Sequence, residues 1–95
     1  MQFHPVARRE RWKAKQYYAA VSPPAAERFE RELQRALNLL ETYPEAGSPL
    51  PYDARMFVVP GFPYSVVYRY ANETIFILAI AHHKRDSGYW RDRLS

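Results

Sequence analysis

The sequence contains no cysteine. Disulfide staples, cysteine-ligated zinc and thiol nucleophiles are therefore excluded, and packing alone must hold the fold. A chain that uses no disulfides suits a reducing compartment, and a cytoplasmic location is expected. Glycine is scarce. Gly47, Gly61 and Gly88 stand far apart, which leaves no glycine-rich loop to cradle a phosphate. Long apolar runs are missing too: the longest, Ile75 to Ala81, falls far short of the roughly 18 residues that span a bilayer. Met1 to Pro5 lacks the cationic-then-apolar pattern of a secretory leader, so no membrane association is expected. Internal repeats and low-complexity tracts are absent.

What is present fits one domain over residues 1–95. The chain is 47% hydrophobic and 25% charged, the balance of a folded protein rather than a disordered one. A domain of this size buries roughly 60–65% of the surface its unfolded chain exposes, so modest stability is expected. The net charge of +4 is uneven. Arg8, Arg9, Arg11, Lys13 and Lys15 crowd the first twenty positions against Glu10, residues 21–54 are net acidic, and residues 84–95 are basic again. Basic ends imply an anionic partner, nucleic acid or acidic protein, or simply a solvated surface that aids solubility.

Hydrophobic periodicity orders the elements. Phe3 to Val6, interrupted by Pro5, reads as an edge strand or the start of one. From Ala7 the spacing turns helical: Ala7, Glu10, Ala14, Tyr17 or Tyr18, and Val21 recur every three to four residues. Ser22-Pro23-Pro24 stops that helix near Val21 and starts the next, with Ser22 as N-cap and Pro23 at the first helical position. Phe29, Leu33, Ala36, Leu37 and Leu40 form its apolar stripe, and Glu27 and Arg31 are spaced to pair on the exposed face. Tyr43-Pro44 ends it, and Glu45 to Asp53 reads as a loop.

Beyond the loop the period drops to two. Arg55–Val59, Tyr64–Tyr70 and Thr74–Ala81 read as strands, joined at Pro60-Gly61 and at Ala71-Asn72-Glu73. The third is almost wholly apolar and is expected at the sheet centre, buried on both faces. The tail from His82 is polar, basic and aromatic, with room for a short terminal turn of helix. The order predicts a two-layer α+β fold: an N-terminal strand, a helical hairpin, then a three-stranded antiparallel meander.

Two blocks carry a family resemblance. One is Phe3-His4-Pro5, Ala7, Glu10, Ala14 and Tyr17-Tyr18. The other is Phe62-Pro63-Tyr64-Ser65-Val66-Val67-Tyr68-Arg69, with Ile80-Ala81-His82-His83-Lys84-Arg85 and Gly88-Tyr89-Trp90-Arg91. Over residues 3–93 the chain resembles the RelE/ParE toxin superfamily of type II toxin–antitoxin systems, in its ParE-like, plasmid-stabilisation branch. Ser87 departs from the branch, which usually has proline there. The resemblance implies the RelE/ParE fold and neutralisation by a cognate antitoxin protein. It also implies one of two targets: DNA gyrase, poisoned by binding, or ribosome-bound mRNA, cut by a metal-independent endoribonuclease.

The nuclease pattern carries over only in part. Arg85 matches the phosphate-stabilising arginine, and Tyr89 lies near the catalytic tyrosine at a shorter spacing. Met56 and Val58 stand where two lysines are expected, and Ser65 where an arginine is. One charge-stabilising group of this kind is often worth about 10²–10³ in rate. The resemblance therefore favours a toxin that inhibits growth by binding gyrase. The alternatives are a RelE-like nuclease and a non-toxic RNA- or protein-binding domain.

If the chain is a nuclease, Arg85, His82, His83 and Tyr89 are the catalytic candidates, histidine because it titrates near neutrality. Either histidine could instead tie the tail to the sheet. Arg55, Arg69, Lys84, Arg85, Trp90 and Arg91 are the candidates for contact with target or antitoxin. Against this, Arg85 and Arg91 could pair with Asp86 and Asp92, and Trp90 could fold the tail over the core. No metal and no cofactor are expected. The antitoxin is expected to lie over the helical hairpin and an exposed sheet edge.

Overall fold

A computed structural model describes residues 1–94. A short strand, β1 (Gln2–Phe3), leads into helices α1 (Pro5–Val21) and α2 (Pro23–Thr42). Strands β2 (Ser48–Leu50), β3 (Ala54–Val58), β4 (Tyr64–Ala71) and β5 (Thr74–His82) follow. Single 3-10 turns occupy Pro51–Asp53 and Arg91–Leu94. The expected α+β architecture is present, with one strand more than the sequence suggested. The sheet is mixed, in the order β1-β5-β4-β3-β2: β1 runs parallel to β5 and every other pair is antiparallel.

The helix boundaries follow capping chemistry. Pro5 does not interrupt the first strand but opens α1, where a missing N–H costs nothing. His4 is the N-cap, its Nδ1 accepting from the Val6 amide at 3.1 Å. Ser22 serves both helices: its amide donates to Tyr18 O and ends α1, and its Oγ accepts from the Ala25 amide and begins α2. The expected Glu27–Arg31 pair is not formed among the described residues. Arg11 of α1 instead reaches Glu30 of α2 at 2.9 Å, and Arg35 reaches Glu32.

One face of the sheet carries the main core. Phe29, Leu33, Leu37 and Leu40 of α2 are buried against Val59, Val66, Tyr68, Ile75, Ile77 and Ile80, each worth roughly 1.5–3 kcal/mol of burial. Tyr18, Phe29, Phe62 and Tyr64 form an aromatic cluster with centroids 5.0–6.3 Å apart. Tyr17 and Val21 leave the predicted inward stripe of α1 and are exposed.

The segment read as a loop also adds to the sheet: β2 pairs with β3, with Ser48 opposite Met56. Tyr68, wholly buried, holds that segment down by donating to Pro44 O and accepting from the Gly47 amide. A Cβ on Gly47 would lie 2.6 Å from the Tyr68 hydroxyl, which accounts for the glycine there.

The opposite face is not bare. Trp90 folds the tail back onto Ala54, Val67, Leu78 and Ala79 and makes a second, smaller core. A register shift between Val67 and Tyr68 lets both Leu78 and Ala79 join that core. The centre of the sheet is β4, not β5. β5 is covered on both faces from Ile77 to Ile80, yet Phe76 is 40% exposed.

Candidate functional site

The tail arches over one end of this second face and encloses a cleft of about 550 Å³. Its floor is Met56 and Val58 from β3, Ser65 and Val67 from β4, and Ala81 from β5. These residues share a face because strand side chains alternate. Tyr52, His83, Arg85, Tyr89 and Arg91 form the rim. The floor offers two methyl-rich side chains and one hydroxyl where a phosphate would need cations, so an anion entering here meets charge only at the rim.

The histidines part company. His83 is exposed, and its Nε2 lies 3.0 Å from Ser65 Oγ across the two strands. His82 accepts at Nδ1 from the Lys84 amide, and its ring meets the edge of Tyr64 with centroids 5.0 Å apart. Both histidines thus meet β4, His83 through the Ser65 hydroxyl and His82 through the Tyr64 ring, and His82 also shapes the turn out of β5.

Arg85 is exposed, its guanidinium 3.8 Å from the centroid of the Tyr89 ring. The ring quadrupole attracts the guanidinium, and the alternative pairing with Asp86 is not formed among the described residues. Arg91 likewise pairs with no aspartate: its Nη1 donates to Tyr52 Oη at 2.8 Å and its Nε to Gly88 O. Tyr52 is also fixed from its other end, because Arg69 donates to its carbonyl. The left-handed backbone of Tyr52 (φ 65°) and Asp53 (φ 61°) is held by these two arginines. Arg69 Nε is buried and has no hydrogen-bond partner among the described residues. Arg55 is committed elsewhere, donating to Glu45 O and Gly47 O and bracing the approach to β2.

Two expected site residues serve the fold. Trp90 is 5% exposed and cannot meet a partner without unpacking the tail. Tyr89 donates its hydroxyl to Glu10 Oε2 at 2.7 Å. Burial first, then the hydrogen bond and charge of Glu10, push its phenol up to about 12. A phenol held protonated and already bonded is poorly suited to proton transfer near neutrality.

Of the expected site residues the cleft therefore gathers His82, His83, Arg85, Tyr89, Trp90 and Arg91, of which His83, Arg85 and Arg91 are exposed. Lys84 faces away, toward α1, and Arg69 lines a separate groove of about 400 Å³ with Phe76 and Leu94. Sequence reasoning missed Tyr52 and Arg93, and it took Glu10 only as one position of an inward stripe. The signal was there, because a carboxylate among apolar stripe positions demands a buried partner. Among the described residues, no three His, Asp or Glu side chains converge as a metal site would require, and no helix is long and apolar enough to cross a membrane.

Comparison with known families matches residues 1–87 to the family described as ParE toxin of type II toxin-antitoxin system, parDE. The match takes in α1, α2 and strands β1 to β5 and stops before Gly88, so Tyr89, Trp90, Arg91 and Arg93 lie beyond it. No curated protein matches the chain.

Proposed function

The chain belongs to the ParE toxin family of type II toxin–antitoxin systems, and on that premise we propose that it arrests growth by binding an essential target, DNA gyrase, in the cytoplasm. A cognate antitoxin masks it. The observation that carries a binding rather than a cutting mode is the apolar floor of the tail-side cleft. Met56, Val58 and Ser65 line it, and a pentavalent phosphate there would find no cation beneath it. Stabilising such charge is the main task of a metal-free nuclease.

The rim supports the same reading. Arg85 and Arg91 are exposed at the mouth of the cleft, oriented by Tyr89 and Tyr52, and arginines presented on aromatic scaffolds are common anchors of protein interfaces. For the antitoxin, the helical hairpin exposes Trp12, Tyr17, Val21, Leu39 and Tyr43. Each is a large apolar side chain open to solvent, surface that a partner would cover.

The test is inducible expression of the chain, alone and with the protein encoded beside it. The reading expects arrest with a DNA-damage response, relieved by the neighbour. Arrest with cleaved, ribosome-associated mRNA, abolished by Arg85→Ala, would replace it with the endoribonuclease reading. Growth unaffected by the folded chain would point to a non-toxic member of the family.

A further inference from the structure

A second cleft, of about 440 Å³, opens on the other side of Arg85, between α1 and the corner where β5 passes into the tail. Its volume lies in the range of small-ligand sites, which is roughly 300–1,000 Å³. Lys13 stands on the α1 bank, and Lys84 and Arg85 on the opposite one. Neither lysine takes part in an ion pair among the described residues. Among the described residues Glu10 is the one carboxylate in the lining, and it is already satisfied: Arg93, the Tyr89 hydroxyl and the Ile80 amide occupy both its oxygens. The cleft is therefore cationic, with no free acid among the described residues to oppose an anion.

Its walls are aromatic. Tyr17 and Tyr64 both line it, and Tyr17 is 63% exposed, in T-shaped contact with Tyr18 at a centroid distance of 5.1 Å. The charge does not end at the cleft. Arg9, Lys13 and Tyr17 are spaced four residues apart along α1 and so lie on one face of it. Together they make a track of cations that ends on an exposed ring.

We infer that this cleft binds single-stranded nucleic acid, with phosphates held by Lys13, Lys84 and Arg85 and an unpaired base stacked on Tyr17. Cations along a groove beside an aromatic platform are what a strand requires. Sequence need not be read, because every base has a π-face. A duplex fits less well, since its bases are already stacked and offer Tyr17 nothing. This site adjoins the tail-side cleft, sharing His82, Arg85 and Tyr89 with it, but Lys13, Tyr17 and Lys84 belong to it alone, and it does not depend on the identity of the toxin's target.

The test is a fluorescence-anisotropy titration of a labelled oligothymidylate with the isolated chain over a series of salt concentrations. Three phosphate contacts predict a slope of log affinity against log salt of about −2, at about −0.7 per contact on a single strand. Lys13→Ala and Lys84→Ala each reduce that slope by about 0.7. Tyr17→Ala weakens binding about tenfold and leaves the slope unchanged. Lys15→Ala, on another face of α1 beside Trp12, changes little. All four side chains are exposed, so thermal melts should match the parent and exclude misfolding.

Absence of binding would overturn the inference. So would equal losses from Lys15→Ala, which would mark diffuse attraction, or competition by thymidine monophosphate as strong as by the oligomer, which would mark a free-nucleotide pocket. Because neither gyrase nor antitoxin enters the assay, failure here leaves the toxin reading intact, and failure of the toxin reading leaves this result standing.

Discussion

Glu10 and Arg93, 83 positions apart, meet in a two-point ion pair: Arg93 Nη1 lies 2.9 Å from Oε1 and Nη2 3.0 Å from Oε2. Both side chains are nearly buried, at 13% and 11% exposure. The pair sits where β1 runs out. β1 covers β5 only at Phe76 and Ile77, and the next groups on that edge are taken by side chains, Leu78 O by Arg93 and the Ile80 amide by Glu10. One carboxylate thus joins α1, the open edge of β5 and the tail, and it sets where Arg85, Tyr89 and Arg91 stand.

Removing one member of this pair should cost far more than removing both. Glu10→Gln leaves the Arg93 guanidinium buried and unpaired and is expected to destabilise the chain by roughly 3 kcal/mol. Glu10→Gln with Arg93→Met should recover at least half of that loss. A double-mutant cycle on thermal melts measures the coupling; additive effects would show that the pair is not what fixes the tail.

Alkaline titration should loosen the same corner. The Tyr89 phenol is raised from 10.0 to about 12, so its protonated form is favoured in the folded chain. Its contribution to stability is complete below about pH 10 and is lost as pH rises toward 12. Tyr89→Phe should make the fall in melting temperature over that window shallower. Tyr18, Tyr64 and Tyr68, also raised by burial, account for the remaining slope. An unchanged slope in the variant would mean that Tyr89 is not held protonated.

The turn before β2 admits no side chain. Gly47→Ala would drive a methyl to within 2.6 Å of Tyr68 Oη and 2.9 Å of Met56 O, against a residue that cannot move without opening the core. The expected cost is about 1–3 kcal/mol. Tyr68→Phe, which removes the hydroxyl and orphans the Gly47 amide and Pro44 O, should cost about 1–2 kcal/mol. Chemical denaturation measures both.

The β4–β5 hairpin carries the opposite kind of position. Asn72 and Glu73 both have positive φ, 51° and 59°, in a two-residue turn whose preferred second residue is glycine. Glu73→Gly should stabilise the chain by about 0.5–1 kcal/mol, since the left-handed region strains a side chain and not glycine. A lower melting temperature in the variant would show that Glu73 makes a compensating contact.

Local chemistry was legible in the sequence. Ser22-Pro23 announced the joint between the helices, the stripe from Phe29 to Leu40 announced the core face, and the strand periods announced the meander. Pairing across distance was not. β2 is three residues with a central proline, and nothing in Ser48-Pro49-Leu50 distinguishes it from a loop until β3 lies beside it. The site divided in the same way. Arg85 and Arg91 could be named as exposed cations, and their basic tail pointed to an anionic or acidic partner. That Tyr89 and Arg93 would converge on Glu10 depended on the tail folding back, at which only Trp90 and the two histidines hinted. The apolar floor could be read from Met56, Val58 and Ser65 because it rests on residue identity more than on geometry.

The measurement that bears most directly on the central claim is gyrase supercoiling of relaxed plasmid in the presence of the purified chain. Supercoiling should be inhibited and cleaved DNA should accumulate, both reversed by the cognate antitoxin. Supercoiling that proceeds unchanged with a folded, growth-arresting preparation would contradict that claim.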